Sequence, residues 1–472
     1  MNIRSRFLAL SCAYLVAGSA AIFAQESEVA PKPAAHTTPM LIDNSDATID
    51  PSQNSPDALQ PDGRPLTGIQ TLTLGSQELR HSYWVPGFQY NSISQSRSLA
   101  TGRPGWSVNN FLGGNLGLLS AGSHSQMALN YSGGGFLSSD QNLNSGFYHE
   151  LGASQAFTWG RWRLDFLDEF RRLPETQAGF GGATNLATPG IQGVLAPSLP
   201  GLGSDFTLTP TIFASEGAFY TNTFAIQTSY AVSPRGSFTM AGSYGILRFA
   251  KAGSIDQDEA GAQFGYGYAV SRTDSIGALY RFSAYHFMGD SQAIGLQAFN
   301  FAYGRKITGH LALQLFAGPE LATFRTPLNS TTGRQELLGS ASASLKYAFQ
   351  RGGASLDYRH GVTGGSGILI GASADEVSLN GNHSISRSWS FRGNFGYSQN
   401  RDLANSSLRF NSWFGTAGFA RPLGPTANLT FGYTARFQTA AQGVCSGPCL
   451  ASFTQHEISL GLQWNTRPIV IR

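Results

Sequence analysis

The run Arg387-Ser388-Trp389-Ser390-Phe391-Arg392-Gly393-Asn394-Phe395-Gly396-Tyr397-Ser398 decides the fold. Trp389, Phe391, Phe395 and Tyr397 fall on alternate positions, and Ser388, Ser390, Arg392, Asn394 and Ser398 fall between them. Only a β-strand sends every second side chain to the same side, so this segment has one greasy face and one wet face. The same phrase of strand, short arginine-bearing turn, strand and longer loop recurs from about Trp106 to Trp464. So many greasy faces need a common apolar surrounding, and a lipid bilayer supplies one.

Composition agrees. Of 472 residues only 12% are charged, about half the usual share, while Gly (57) and aromatics (12%) are abundant. A mean hydropathy of −0.13 is too polar for a helical membrane protein, and no apolar run long enough to span follows residue 24. Half-apolar strands average to such a value. The net charge of +3, with its Lys and Arg dispersed, excludes nucleic acid as the expected partner.

Arg4 and Arg6 precede an apolar stretch from Phe7 to Phe23, which reads as a secretory signal peptide over 1–24. Cleavage is expected after Ala24, with Ala20 or Ala21 as alternatives. Residues 25–80, rich in Pro, Ala, Ser and Asp, read as a disordered or loosely docked periplasmic segment ahead of a barrel over 81–472. Cys445 and Cys449, in Cys-Ser-Gly-Pro-Cys, read as a disulfide stiffening one loop by about 2 kcal/mol. A metal site is the rival reading, although no His or further Cys lies close by; no metal and no cofactor is expected.

Alternating segments span 83–96, 106–119, 125–136, 146–157, 161–172, 219–231, 236–249, 259–270, 274–287, 292–303, 308–325, 335–348, 353–363, 373–385, 388–399, 409–420, 425–438 and 453–464. Most are long enough for a tilted strand to cross a bilayer. Two of them, 292–303 and 409–420, slip phase, and a β-bulge or a misplaced boundary is expected in each. Short turns alternate with longer loops and carry Arg161, Arg235, Arg272, Arg305, Arg351, Arg387 and Arg421. The segments therefore specify an all-β, transmembrane, antiparallel up-and-down barrel. Parity favours 18 strands, with 16 as the alternative, and puts the short turns and both termini in the periplasm.

The signal peptide, the amphipathic strands with aromatic ends and the strand Ile458, Leu460, Leu462, Trp464 resemble Gram-negative outer-membrane β-barrels of the porin kind. The resemblance covers about four fifths of the chain. It implies residence in the bacterial outer membrane, contact with its lipid, insertion by the barrel-assembly machinery, and passive passage of a small solute or glycan. Association into homo-oligomers is left open. Porins typically end on an aromatic residue, whereas Asn465 to Arg472 follow Trp464 here.

If greasy faces meet lipid, the opposite faces line a lumen. This rule sends Arg163, Asp165, Glu169, Arg171, Arg281, Asp357, Arg359, Arg392 and Arg436 inward, with Lys346, Glu259, Glu336 and Glu376. A lining of mixed sign sets ion preference through its local field, or else braces the wall by pairing. The longest loop, from Pro174 to Gly217, either folds inward as a constriction, with Glu175, Asp205 and Glu216 facing the arginines, or lies on the surface. Gly364-Gly365-Ser366-Gly367 is expected to be a flexible loop. The chain contains no Gly-x-Ser-x-Gly elbow, and neither His149-Glu150 nor His456-Glu457 has the second His of a zinc hydrolase, so no enzyme is expected. The alternatives to a channel are a plugged or non-channel barrel serving an export system or anchoring a surface, then a secreted β-propeller or a hydrolase at a barrel rim.

Overall fold

The computed structural model describes residues 82–97, 105–139, 145–173, 212, 218–250, 254–288, 292–325, 334–386, 388–403, 408–441 and 452–471. The signal segment, the stretch before residue 82, Arg387, Glu175, Asp205, Glu216, Cys445 and Cys449 lie outside them.

Eighteen antiparallel strands follow one another around a ring: β1 (Ser82–Arg97), β2 (Gly105–Ala121), β3 (Ser125–Ser138), β4 (Gly146–Trp159), β5 (Trp162–Leu173), β6 (Phe219–Ala231), β7 (Gly236–Phe249), β8 (Gln257–Ala269), β9 (Asp274–Phe287), β10 (Gln292–Lys306), β11 (Leu311–Arg325), β12 (Arg334–Phe349), β13 (Gly352–Thr363), β14 (Ala372–Ser384), β15 (Ser390–Asp402), β16 (Arg409–Pro422), β17 (Ala427–Ala440) and β18 (Phe453–Asn465). Each pairs with the next, and β1 also pairs with β18 from Gly87↔Asn465 to Gln95↔Glu457, closing the barrel. Every expected segment is a strand, and the count is 18. Beyond Trp464 the chain does not hang free. A short β19 (Ile469–Ile471) extends the closing seam by pairing with Ser82, Tyr83 and Trp84.

The alternation has a physical sense. Trp162, Phe224, Phe264, Phe299, Leu379, Phe395, Trp413, Phe431 and Leu460 are exposed on the outer side. Their neighbours Asp165, Gln227, Gln263, Asn300, Asn394 and Ser459 are buried on the inner side. This inverts a water-soluble protein and matches a lipid-spanning barrel, in which every backbone donor and acceptor is paired within the wall.

Of the two expectations for 292–303 and 409–420, no bulge occurs; the boundaries move, β10 running on to Lys306 and β16 to Pro422. Pairing runs in unbroken register along β10, from Gln292↔Phe287 to Arg305↔Asp274, and along β16, from Ser390↔Ala420 to Arg401↔Arg409. The phase slips because both faces of these strands turn apolar. In β10, Ile294, Leu296 and Ala298 face inward while Phe299 and Phe301 face outward. In β16, Phe410 and Phe414 face inward behind an outward Trp413.

Placing a charge on the outer face at mid-height should therefore be costly. Leu379→Arg is expected to destabilise the barrel by about 2–4 kcal/mol, and Arg at the adjacent inward Ser378 by under about 1 kcal/mol. Reversible denaturant unfolding in lipid vesicles measures both, and equal costs would contradict the assignment of faces.

Candidate functional site

The inner wall divides by height. Toward the long-loop end it carries apolar side chains: Ile93, Phe111, Phe136, Tyr148, Leu173, Phe219 and Leu247 form one cluster across β1 to β7. A second gathers Tyr285, Phe287, Ile294, Leu296, Ala322 and Val362, and a third gathers Ile212, Leu369, Ala372 and Phe410. Below this collar the wall is made of amides, hydroxyls and charges. Gln89, for example, reaches over β2 to donate to Ser132 Oγ at 2.6 Å and Tyr148 Oη at 3.0 Å.

The loop joining β13 to β14 occupies the inside of the collar. It is not the flexible loop expected from its glycines but a 3-10 turn at Gly365–Gly367 followed by the buried Leu369. Gly365, Gly367 and Gly371 adopt φ of 78°, 77° and 78°, a region that side-chain-bearing residues enter only with strain. A Cβ on Gly364 would run into Gln257, and one on Gly367 into the ring of Phe249, so the loop reaches the inner faces of β7 and β8. Ile255 donates its N–H to Gly367 O at 2.8 Å, and Leu403 donates to Gly371 O at 3.4 Å. Ile370 packs with the second cluster, and Ile368 and Leu369 with the third. Full burial, as of Leu369, contributes about 1.5–3 kcal/mol, and the half-buried Ile368 and Ile370 add to it, which holds the loop inward.

The hairpin bends to put it there. The β12–β13 ladder stops at Ala341↔His360, three residues before β13 ends. Past that point Val362, which alternation assigns to the outer face, swings across the inner side of the wall and is 3% exposed. Its N–H has no β12 partner and donates to Glu320 Oε1 at 3.2 Å. The other oxygen of Glu320, a residue with no exposed surface, receives Arg281 Nη2 at 3.3 Å. Glu320 thus fastens the bent hairpin to the wall through β9 and β11.

All nine lumen candidates lie on the inner face, and most are braced. Arg163 grips Asp165 through Nε at 2.9 and 3.0 Å. Arg171 pairs with Glu169 and stands opposite Glu150. Arg359 stands opposite Glu376, and Asp357 accepts from Ser344 at 2.6 Å and Ser355 at 2.8 Å. Arg436 is buried, donating to Gln455 at 2.9 Å and Glu457 at 3.3 Å. Arg392 differs. It is exposed on the inner face near the short-turn end, opposite Asn382, with no ion pair among the described residues. Sequence reasoning missed Glu320, whose alternation is hard to read beside Gly318-Pro319. It also missed the inward loop, whose signal is the Ile368-Leu369-Ile370 triplet where no strand alternates. Of the long loop 174–217, one described residue before the strand approach, Ile212, is buried against Leu369. Among the described residues, no three His, Cys, Asp or Glu side chains gather as a metal site.

No protein-family model matches the chain, and no curated protein does. Solved structures resemble it in architecture. OpdQ of Pseudomonas aeruginosa aligns with a TM-score of 0.44 at 10% identity, covering 84% of this chain and 100% of its own. OccAB2 of Acinetobacter baumannii gives 0.41 at 10%, covering 83% and 100%. The outer membrane protein OpdK of Pseudomonas aeruginosa gives 0.41 at 9%, covering 81% and 99%. Likeness at this level leaves function to rest on this chain's own geometry.

Removing the Glu320 carboxylate should take an ionic partner from the half-buried Arg281 guanidinium and leave the buried Val362 N–H without its acceptor. Glu320→Ala is expected to cost about 3–5 kcal/mol and to expose 364–371 to protease, whereas Glu320→Gln, which still accepts from Val362, should retain more protection. Unfolding midpoints together with proteolytic mapping of folded barrels check this.

Proposed function

We propose that the chain is a passive channel of the bacterial outer membrane for small hydrated solutes or glycans, with the inward loop 364–371 as its constriction. The observation that carries this reading is the closed wall with an apolar outside and, below the collar, an inside of amides, hydroxyls and charges. A wall of 18 strands is wide enough for an aqueous lumen unless something fills it. Amide and hydroxyl groups exchange hydrogen bonds with a hydrated polyol at little cost, and Arg392 adds a positive local field near the short-turn end. Export through the segment 1–24, insertion by the barrel-assembly machinery and short turns in the periplasm belong to the same reading, which is one of passage and not of catalysis.

One observation favours a second reading, a plugged barrel serving as an export partner or surface anchor. The loop 364–371 reaches Phe249 and Gln257 on strands five to six places round the ring, and Ile212 packs in one cluster with its Leu369.

Conductance in planar bilayers decides between them. The channel reading expects discrete steps, a larger step for Gly367→Val, whose side chain cannot fit beside Phe249, and a shift towards cations for Arg392→Glu. Bilayers that stay sealed with the intact protein but conduct after deletion of 25–80 or 364–371 would establish the plugged barrel instead.

A further inference from the structure

At the long-loop end of β15 and β16, on the outer face, Arg401 and Arg409 stand directly opposite each other. Among the described residues this is the one cross-strand pair in which two fixed charges of like sign face each other. Like charges so placed repel, and a wall that retains them gains from an anion between them. Neither guanidinium forms an ion pair among the described residues. Arg401 Nη2 has only Gln399 Oε1, at 3.5 Å, and Arg409 Nε is buried with no hydrogen-bond partner. The segments 403–408 and 441–452, which adjoin the pair in sequence, contain no acidic residue. Asp402 falls on the inner face by alternation. On the neighbouring strand β14 the outward Asp375 stands opposite Gln399, and it is taken by Tyr358 Oη at 3.0 Å and His360 Nδ1 at 2.8 Å.

The outer face below the pair is graded. Gln399 Nε2 donates to Asn411 Oδ1 at 3.1 Å and to Tyr397 Oη at 3.0 Å, and the Tyr397 and Trp413 rings lie 4.3 Å apart beneath them. Lower still are the exposed Phe395 and the small Gly393, Gly415 and Ala417. From rim to mid-height the order is charge, amide, amphipathic ring, hydrocarbon, the order in which a lipid presents phosphate, glycerol or sugar, and acyl chain.

We propose that the outer face of the β15–β16 hairpin is a binding site for a phosphate-bearing lipid headgroup, clamped between Arg401 and Arg409 with its chains against Trp413 and Phe395. Two guanidinium forks on one phosphate give charge-assisted, geometrically selective hydrogen bonds, and occupation removes the repulsion across the ladder. The site rests on the membrane-barrel reading but not on whether the lumen conducts.

The test uses the full-length folded barrel in detergent, with short-chain phosphatidic acid, the matching diacylglycerol and inorganic phosphate as separate probes. Native mass spectrometry should show phosphatidic acid retained by the wild type and roughly tenfold weaker for Arg401→Gln/Arg409→Gln, with diacylglycerol not retained. Heat-modified migration should show that the double variant is folded, and without lipid it should unfold no earlier than the wild type, because a repulsion has been removed. Bilayer conductance of the variant should be unchanged, which separates this site from the channel reading. Equal retention by both proteins would overturn the proposal, as would a lipid-free variant less stable than the wild type. Stabilisation by inorganic phosphate equal to that by phosphatidic acid would overturn the lipid as occupant.

Discussion

Unpaired backbone N–H and C=O groups are not tolerated in hydrocarbon, and the rest of this structure depends on that constraint. A strand in lipid must have a neighbour on each side, so the only stable sheet is one without edges. Closure of β1 onto β18 meets the requirement, and the pairing of every strand with a neighbour on each side is its geometric expression. Once the wall is closed, the inside is released from the lipid's demands. It can hold charges, amides and even a folded loop.

The inner wall spends that freedom unevenly. Most of its ionic side chains hold one another, as Arg163 holds Asp165 and Arg436 holds Glu457, so they define the shape of the wall more than its field. Glu320 goes further, since one carboxylate satisfies both the guanidinium of Arg281 and the orphan N–H that the bend at Val362 creates. Without such an acceptor the bend would leave a buried donor unpaired at a cost of about 1–3 kcal/mol. The collar adds the apolar contacts that the loop buries. The constriction is therefore built from backbone displacement, a carboxylate and a few aliphatic side chains acting together.

The strands were legible in the sequence because period-two patterning with one lipid-facing side is an obligatory and repetitive signal. The segment at 83–96 is a strand like the rest. The inner face was legible only where it is polar. In β10 and β16 a second apolar face reads as a phase error, since alternation cannot distinguish a displaced strand from one that packs on both sides. The bend at Val362 could not be read, because it is decided by Glu320, about forty positions away, and by clusters from other strands. The like-charge pair Arg401 and Arg409 was also hidden, since eight residues of sequence say nothing of register until the hairpin is closed.

The seam carries its own consequence for the order of events in folding. Sixteen of the eighteen strands find both partners next along the chain, and even across the longest loop, 174–217, their separations are far smaller than that of the seam. The seam joins residues about 360 positions apart, as in the bond from Gln455 to Gln95. At its foot Asn115 and Asn465 bond at 2.8 Å across Gly87, where a Cβ would intrude, and β19 pairs with the first residues of β1. Contacts of such separation form late, since loop-closure entropy is spent before they repay it. Until then β1 and β18 are two open edges on an otherwise zipped sheet, ready to join any strand they meet. The time spent in that state, more than the stability of the finished ring, sets how much help the chain needs to close upon itself and not upon a neighbour.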